Sequence, residues 1–337
     1  MLKIEIKDCI SLKSIMQKDN SKAEISNKLH EDLADKHQID FWKTWKHKVC
    51  GETKNKVTLK GNPPPQIAIN DFAQYFSGVS SPNNPELDRV KRELYNEKIA
   101  SYIGKECYQK FSAEIVAIAL DKIEKGKSPG FDMITAEHIN FCHPVIFSVL
   151  SKLFNIMLDY SYVPRDFGKG LTIPIPKGEN MHGIHTIESF RGITLSPIIS
   201  KLFEHCILLL FSDCFVSSVN QFGFKSKLGC PHAIYMVRKV VDHYVNNNST
   251  VNLCFLDMTK GFDKISHSIL LLKLMQRKIP YNVIKLLQCW YDNSYNCVRW
   301  EHLLSNPYKL LSGVRQGGGV LSPILFSVCV DDMLVKF

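Results

Sequence analysis

Apolar residues recur at helical spacing along most of this 337-residue chain and alternate with polar ones in only a few short stretches. Ser112 to Glu124 reads as a helix. A second, His143 to Asp159, carries Ile146, Val149, Leu150, Leu153, Phe154 and Met157 on one face, the spacing of a helix that packs on a core. Gly170 to Pro176 reads as a short strand ending in proline. Ser196-Pro197 predicts an N-cap with proline at the first helical position, opening a helix to about Phe215. Another helix is predicted from Pro231 to about Tyr244. The loop NNNST then leads into an apolar run with Val251, Leu253 and Phe255, read as a strand that delivers Asp257 to its end. Ser266 caps a helix to Lys278, and Tyr281 to Asp292 is a further helix. Tyr295 to Trp300 and Tyr308 to Leu311 read as strands, and Ser322-Pro323 opens a final helix. The pattern is mixed α+β without an internal repeat.

The N-terminal part is of a different kind. Residues 1–37 mix lysines with acids and read as a charged arm or solvated helix. FWKTWKHK places Trp42 and Trp45 among lysines, which suits either an amphipathic helix tucked into a core or stacking on nucleic acid. GNPPPQ, from Gly61, is a stiff break, and SGVSSPNNPE, from Ser77, is a second loop.

Composition narrows the class only slightly. The formal charge of +9 fits a polyanion partner but does not require one. The 11 cysteines form no Cys-x-x-Cys pair, and the N-terminus is too polar for a signal peptide. Reduced thiols in the nucleus or cytoplasm are expected, not a secreted disulfide framework. The longest apolar run, from Cys206, is too short to span a bilayer, so no membrane association is expected.

Several segments could carry chemistry. FLDMTKGFD sets Asp257 at a strand end, lets Gly261 turn tightly and places Phe262 five residues past the acid. That arrangement suits metal-assisted phosphoryl transfer, though Asp also ends strands for turn chemistry. KSPGFD, from Lys127, is a turn or a phosphate-touching backbone nest. Lys177 in PIPKGE and Arg191 in SFRG are either a clamp for a triphosphate or two solvated cations. GVRQGGGVLSP brings backbone close to a ligand after Gln316, and the following helix N-terminus suits an anion. His182 with His185, and His138 with Cys142 and His143, lack zinc-site spacing and read as loop and helix-end residues.

Taken in order, these segments resemble the reverse transcriptases of LINE-type (non-LTR) retrotransposons. KSPGFDMITAEHI is similar to the family's leading fingers segment; GLTIPIPKGE and ESFRGITLSPIISKLFEHCI are similar to two further fingers motifs. NQFGFKSKLGCPHAIYMV resembles the segment that follows, FLDMTKGFDKISH motif A, and GVRQGGGVLSPILF motif B. The resemblance runs from about residue 40 to the end. It implies an α+β fold of right-hand polymerase type, with fingers and an incomplete palm, mostly helical with a small antiparallel sheet. The expected organisation is a charged arm (1–37), a helical linker region (38–105), fingers (106–247) and incomplete palm (248–337).

The resemblance also implies roles. Asp257, with the Met258 carbonyl, would hold Mg²⁺. Lys177 and Arg191 would hold the triphosphate, and Phe262 would pack under the sugar and reject a 2′-hydroxyl. Gln316 and Gly317 would line the nucleotide and template pocket. Partners would be an RNA template, a DNA primer and deoxynucleoside triphosphates, joined by two-metal phosphoryl transfer. No stable protein partner is inferable.

Three departures qualify this. Motif B carries one glycine more than usual, and Gly261 stands where alanine is usual. Motif C, the aromatic-x-Asp-Asp hairpin, does not occur among these residues; Cys329-Val330-Asp331-Asp332 falls instead on the helix opened by Ser322-Pro323. Mg²⁺ dehydrates reluctantly and needs several anionic oxygens, so Asp257 alone does not hold two ions. The expectation is a polymerase fragment, inactive as it stands. The alternatives are a non-catalytic RNA- or DNA-binding protein derived from a retroelement, or a relic or truncated gene product.

Overall fold

The sheet at the centre of the fold is mixed, where an antiparallel one was expected. In the computed structural model, which describes residues 58–106, 108–177 and 184–335, strand β1 (Lys169–Pro176) lies between β2 (Phe190–Leu195) and β3 (Tyr295–Trp300). β1 pairs with β2 antiparallel, Leu171 opposite Leu195 and Pro176 opposite Phe190. It pairs with β3 in parallel, Lys169 opposite Tyr295. A parallel pair needs a long crossover, and the helices between β2 and β3 supply it. The short strands β4 (Leu303–Leu304) and β5 (Tyr308–Lys309) pair with β3 antiparallel. The expectations for residues 1–37, Trp42, Trp45 and His182 lie outside the described residues.

The strand expected before Asp257 does not form. Residues 251–258 carry no regular structure among the described residues, and Phe255 and Leu256 are 81% and 79% exposed. Period-two alternation assigns side chains to faces, but a strand exists only once its N–H and C=O groups meet a neighbour's.

Ten helices are present among the described residues. α1 (Pro65–Val79) and α2 (Pro85–Ala100) lie within residues 38–105, where residue spacing suggested no individual element and the resemblance implied a helical linker region. Asn84 caps α2 by accepting from the Leu87 N–H (3.0 Å), with Pro85 in the first turn. α1 lies on the sheet through Phe72, whose ring centroid is 5.0 Å from Phe190 and 4.9 Å from Trp300. Burying such a phenylalanine is worth about 1.5–3 kcal/mol.

The expected helices form with shifted ends: α3 (Ala113–Asp121) capped by Ser112, α5 (Val145–Asp159), α6 (Ile198–Leu210), α7 (Cys230–Asn246), α8 (His267–Gln276) capped by Ser266, α9 (Tyr281–Asp292) and α10 (Leu321–Val335). A short helix, α4 (Ala136–Asn140), precedes α5. On α5, Leu150, Phe154 and Met157 are buried as their spacing predicts, whereas Val149 is exposed at the edge of the stripe. Ser196 does not cap α6. Pro197 takes the cap position, and the Ser196 hydroxyl receives the Arg315 guanidinium instead (3.3 Å).

The core is aromatic. Phe203 of α6 meets Phe154 (4.8 Å), Phe111 (5.7 Å) and Trp290 (5.8 Å). The Asn155 side-chain amide donates to the Phe111 carbonyl and accepts from the Phe111 N–H, both at 2.8 Å, fixing the incoming chain to α5. By contrast, α7 buries none of its residues.

Candidate nucleotide cleft

A cleft of about 520 Å³ opens where four separated segments meet beside α1. The end of β1 supplies Lys177, β2 supplies Arg191, the turn after residue 256 supplies Asp257, Met258 and Phe262, and the segment before α10 supplies Gln316. Gly317 lies on the far side of that last segment, on a neighbouring cavity of about 260 Å³.

Each side chain is presented by local backbone geometry. Lys177 donates its N–H to the Ser189 carbonyl (2.8 Å), and its ammonium rests on the Glu188 carbonyl (2.7 Å). Arg191 stands opposite Ile175 on the β1–β2 pair, and among the described residues nothing bonds its guanidinium. Asp257 is likewise exposed. Lys260 takes a left-handed backbone (φ 54°), and its ammonium lies over the Tyr75 ring at 4.9 Å.

From Lys260 the chain winds into the one-turn helix Gly261–Lys264, which turns Phe262 inward. The Phe262 carbonyl accepts from the Val314 N–H (2.8 Å), tying this turn to the segment bearing Gln316. The Phe262 ring stacks on Phe326 of α10 with centroids 4.6 Å apart and planes 5° apart, and Phe224 meets both rings edge-on.

The glycines let the segment that bears Gln316 lie close against β2. The Gln316 carbonyl accepts from the Thr194 N–H (2.9 Å), so the segment lies against β2. A Cβ on Gly317 would stand 2.7 Å from Ile193, and one on Gly318 would overlap the Thr194 carbonyl oxygen. Side chains there would lift the segment off the strand.

The N-terminus of α10, expected to suit an anion, is occupied by a carboxyl from within the chain. Glu204 accepts from the Leu321 N–H (2.7 Å) and from the Val320 N–H. Full burial pushes its carboxyl up to about 7, against the backbone donors and nearby Arg315. Arg315 is half-buried, with desolvation pushing its guanidinium down to about 10, and it donates to the Phe167 and Gly168 carbonyls.

Asp331 and Asp332 are taken up by α8 and its C-cap residue. Arg277 donates to Asp331 (2.7 Å), whose other oxygen accepts from the Ser218 N–H (2.8 Å). Lys273 pairs with Asp332 at 3.0 Å. Three further residues have structural partners: His138 accepts from the Thr135 N–H (3.0 Å), His143 from the Val145 N–H (3.2 Å), and Lys127 pairs with Glu124 (2.8 Å), while His185 meets the Phe190 ring edge-on at 5.6 Å.

Sequence reasoning passed over Asp263, which also lines the cleft. Burial raises its carboxyl above the usual range, while Lys260, Lys264 and Lys177 pull it back. Among the described residues no three His, Cys, Asp or Glu side chains are grouped to hold a metal. The donor set fits one Mg²⁺ carried in by a triphosphate, because such an ion takes one or two carboxylates and completes its shell with phosphate and water. It falls short of a pair of resident ions. Among the described residues no helix is long and apolar enough to cross a membrane.

Comparison with known proteins bears on the same region. Residues 175–337 match the family described as "Reverse transcriptase (RNA-dependent DNA polymerase)". The chain is 27% identical over 224 residues to the "RNA-directed DNA polymerase from mobile element jockey" of Drosophila melanogaster, covering 65% of this chain and 24% of that protein. It is 26% identical over 222 residues to the "Probable RNA-directed DNA polymerase from transposon X-element" of the same fly, with the same coverage. A third relative, the "Retrovirus-related Pol polyprotein from type-2 retrotransposable element R2DM", is 23% identical over 213 residues, 63% of this chain and 20% of its own length. The chain thus spans about a quarter of the first two relatives.

Proposed function

We propose that this chain, a member of the reverse transcriptases of LINE-type retrotransposons, forms the nucleotide-receiving side of an RNA-directed DNA polymerase, with β1, β2 and their flanking helices as fingers and residues 248–337 as part of a palm. The observation that carries this is the convergence of Lys177, Arg191, Asp257, Phe262 and Gln316, from four separated segments, on one cleft.

In this reading the chain binds a deoxynucleoside triphosphate with a single Mg²⁺. Arg191 grips phosphate through its planar fork, and Lys177 leaves the Glu188 carbonyl to add a point charge. Asp257 and the Met258 carbonyl would hold the Mg²⁺, which would supply charge neutralisation of the phosphates. Phe262 forms the wall beneath the sugar, and Gln316 borders the base. Template and primer would follow the same face, and their binding would weaken with salt.

Among the described residues the cleft presents Asp257 as its exposed carboxylate, with Asp263 half-buried beside it, while Asp331 and Asp332 are paired with Arg277 and Lys273. The polypeptide of residues 1–337 therefore binds nucleotide without extending a primer. The test is the Mg²⁺ dependence of deoxynucleotide affinity in the unmutated chain and in Asp257→Asn, beside a primer-extension assay. Mg²⁺ strengthening binding only when Asp257 is present, with no extension, supports the reading. Equal Mg²⁺ dependence in both chains, or template-directed extension by residues 1–337, contradicts it.

A further inference from the structure

We infer that Phe326, given room by Gly261, is a positioning residue that sets how far Phe262 projects toward the nucleotide sugar, and so how strongly the cleft prefers a 2′-deoxy sugar to a ribose. The inference rests on the nucleotide reading of the cleft.

Phe262 has one backbone anchor and one side-chain anchor. Its carbonyl is tied to Val314, which fixes the Cα but leaves the ring free to swing. The ring is then held by Phe326 in a near-parallel stack and bounded by Phe224, which adopts a left-handed backbone (φ 58°) to reach both rings, at 5.6 and 6.0 Å. Phe326 is itself on a fixed support. Glu204 holds the first turn of α10, and Arg277 and Lys273 hold its acids further along.

Gly261 is the second half of the device. A Cβ there would stand 3.0 Å from Cε2 and 3.4 Å from Cζ of the Phe326 ring. The glycine backbone is not left-handed at this position, so its role is space, not conformation. A methyl at residue 261 and the Phe326 ring compete for the same volume, and the loser moves Phe262. Ribose and deoxyribose differ by one oxygen, so a displacement of a few tenths of an ångström at the wall decides between them.

The experiment is calorimetric titration of residues 1–337 with a deoxynucleoside triphosphate and its ribonucleoside counterpart, both with Mg²⁺, for the unmutated chain, F326L, G261A and G261A in the F326L background. The unmutated chain is expected to prefer the deoxynucleotide. F326L should lower that preference by about threefold to tenfold, the range set by one lost aromatic stack. G261A should shift the preference where Phe326 is present and change it less than about twofold where leucine has relieved the crowding. A loss of thermal stability in F326L with an unchanged preference overturns the inference, leaving Phe326 a core aromatic only. Binding of both nucleotides without preference by the unmutated chain overturns it too, while the cleft reading stands. Binding of neither overturns the cleft reading and this inference together.

Discussion

Arg277, at the C-cap of α8, holds Asp331 of α10 at 2.7 Å, with Arg277 mostly and Asp331 almost wholly withdrawn from solvent. This pair joins two helices and occupies an acid that would otherwise read as half of a metal-binding Asp-Asp. Asp331→Ala leaves the guanidinium and the Ser218 N–H without their shared acceptor. The expected cost is about 2–3 kcal/mol in chemical denaturation, as for other withdrawn pairs broken on one side. Deoxynucleotide affinity should not change. Asp332 pairs with Lys273 at the surface, and Asp332→Ala should cost no more than about 0.5 kcal/mol.

Glu204 sets a pH dependence of stability. Its folded carboxyl is raised from 4.5 to about 7, so the native state holds a proton that the unfolded state releases. The contribution is present below the unfolded value and is lost as pH rises from about 4.5 through 7. His267, lowered by burial, slopes oppositely because it favours the neutral form in the folded state. The difference between the unmutated chain and Glu204→Gln isolates the Glu204 term, since glutamine keeps an acceptor for Val320 and Leu321. The variant should gain stability relative to the unmutated chain between pH 5 and 7.5; a constant difference across that range refutes the assignment.

Gly318→Ala tests the seating of the motif B segment on β2. Its methyl would overlap the Thr194 carbonyl oxygen, which is backbone and cannot swing aside. A loss of about 2–3 kcal/mol is expected, together with weaker nucleotide binding as Gln316 shifts. Gly223, whose added Cβ would meet only Gln221 at an ordinary 3.6 Å, is the control, and Gly223→Ala should leave both properties unchanged.

The exposed apolar residues of α7 and the stretch after it make a prediction about behaviour in solution. Val240, Phe255 and Leu256 contribute little to the core, so Val240→Lys with Phe255→Ser should reduce self-association seen by light scattering. The midpoint of thermal unfolding should stay within about 2 °C, as for surface substitutions.

How much of this was legible in the sequence follows from where each signal resides. The apolar stripe of α5, the Ser112 and Ser266 caps and the alternation of β3 are local, and local spacing reports them. The cleft was legible as well, because Lys177, Arg191, Asp257, Phe262 and Gln316 sit in segments whose order carries the family resemblance. The strand before Asp257 was misread because pairing is a property of two segments, and alternation describes one. The parallel register of β1 with β3 was hidden for the same reason. α2 left a readable trace in Asn84-Pro85, an N-cap followed by a first-turn proline. Glu204 also left one: a lone acid among the apolar residues of IISKLFEHCILLL must find donors, and it finds them at the start of α10. Which helix it would cap could be seen only once the chain had folded.

The central claim is that Lys177 and Arg191 hold the phosphates of a nucleotide in the cleft they share with Asp257. Its most direct measurement is calorimetric titration of a deoxynucleoside triphosphate with Mg²⁺ onto residues 1–337, compared with Lys177→Ala, Arg191→Ala and the double variant, each checked for an unchanged unfolding midpoint. One bound nucleotide per chain is expected, weakened about tenfold or more by loss of Arg191 and further in the double variant, in line with charge-assisted phosphate bonds. Equal affinity in all four proteins, or no binding by the unmutated chain, would contradict it.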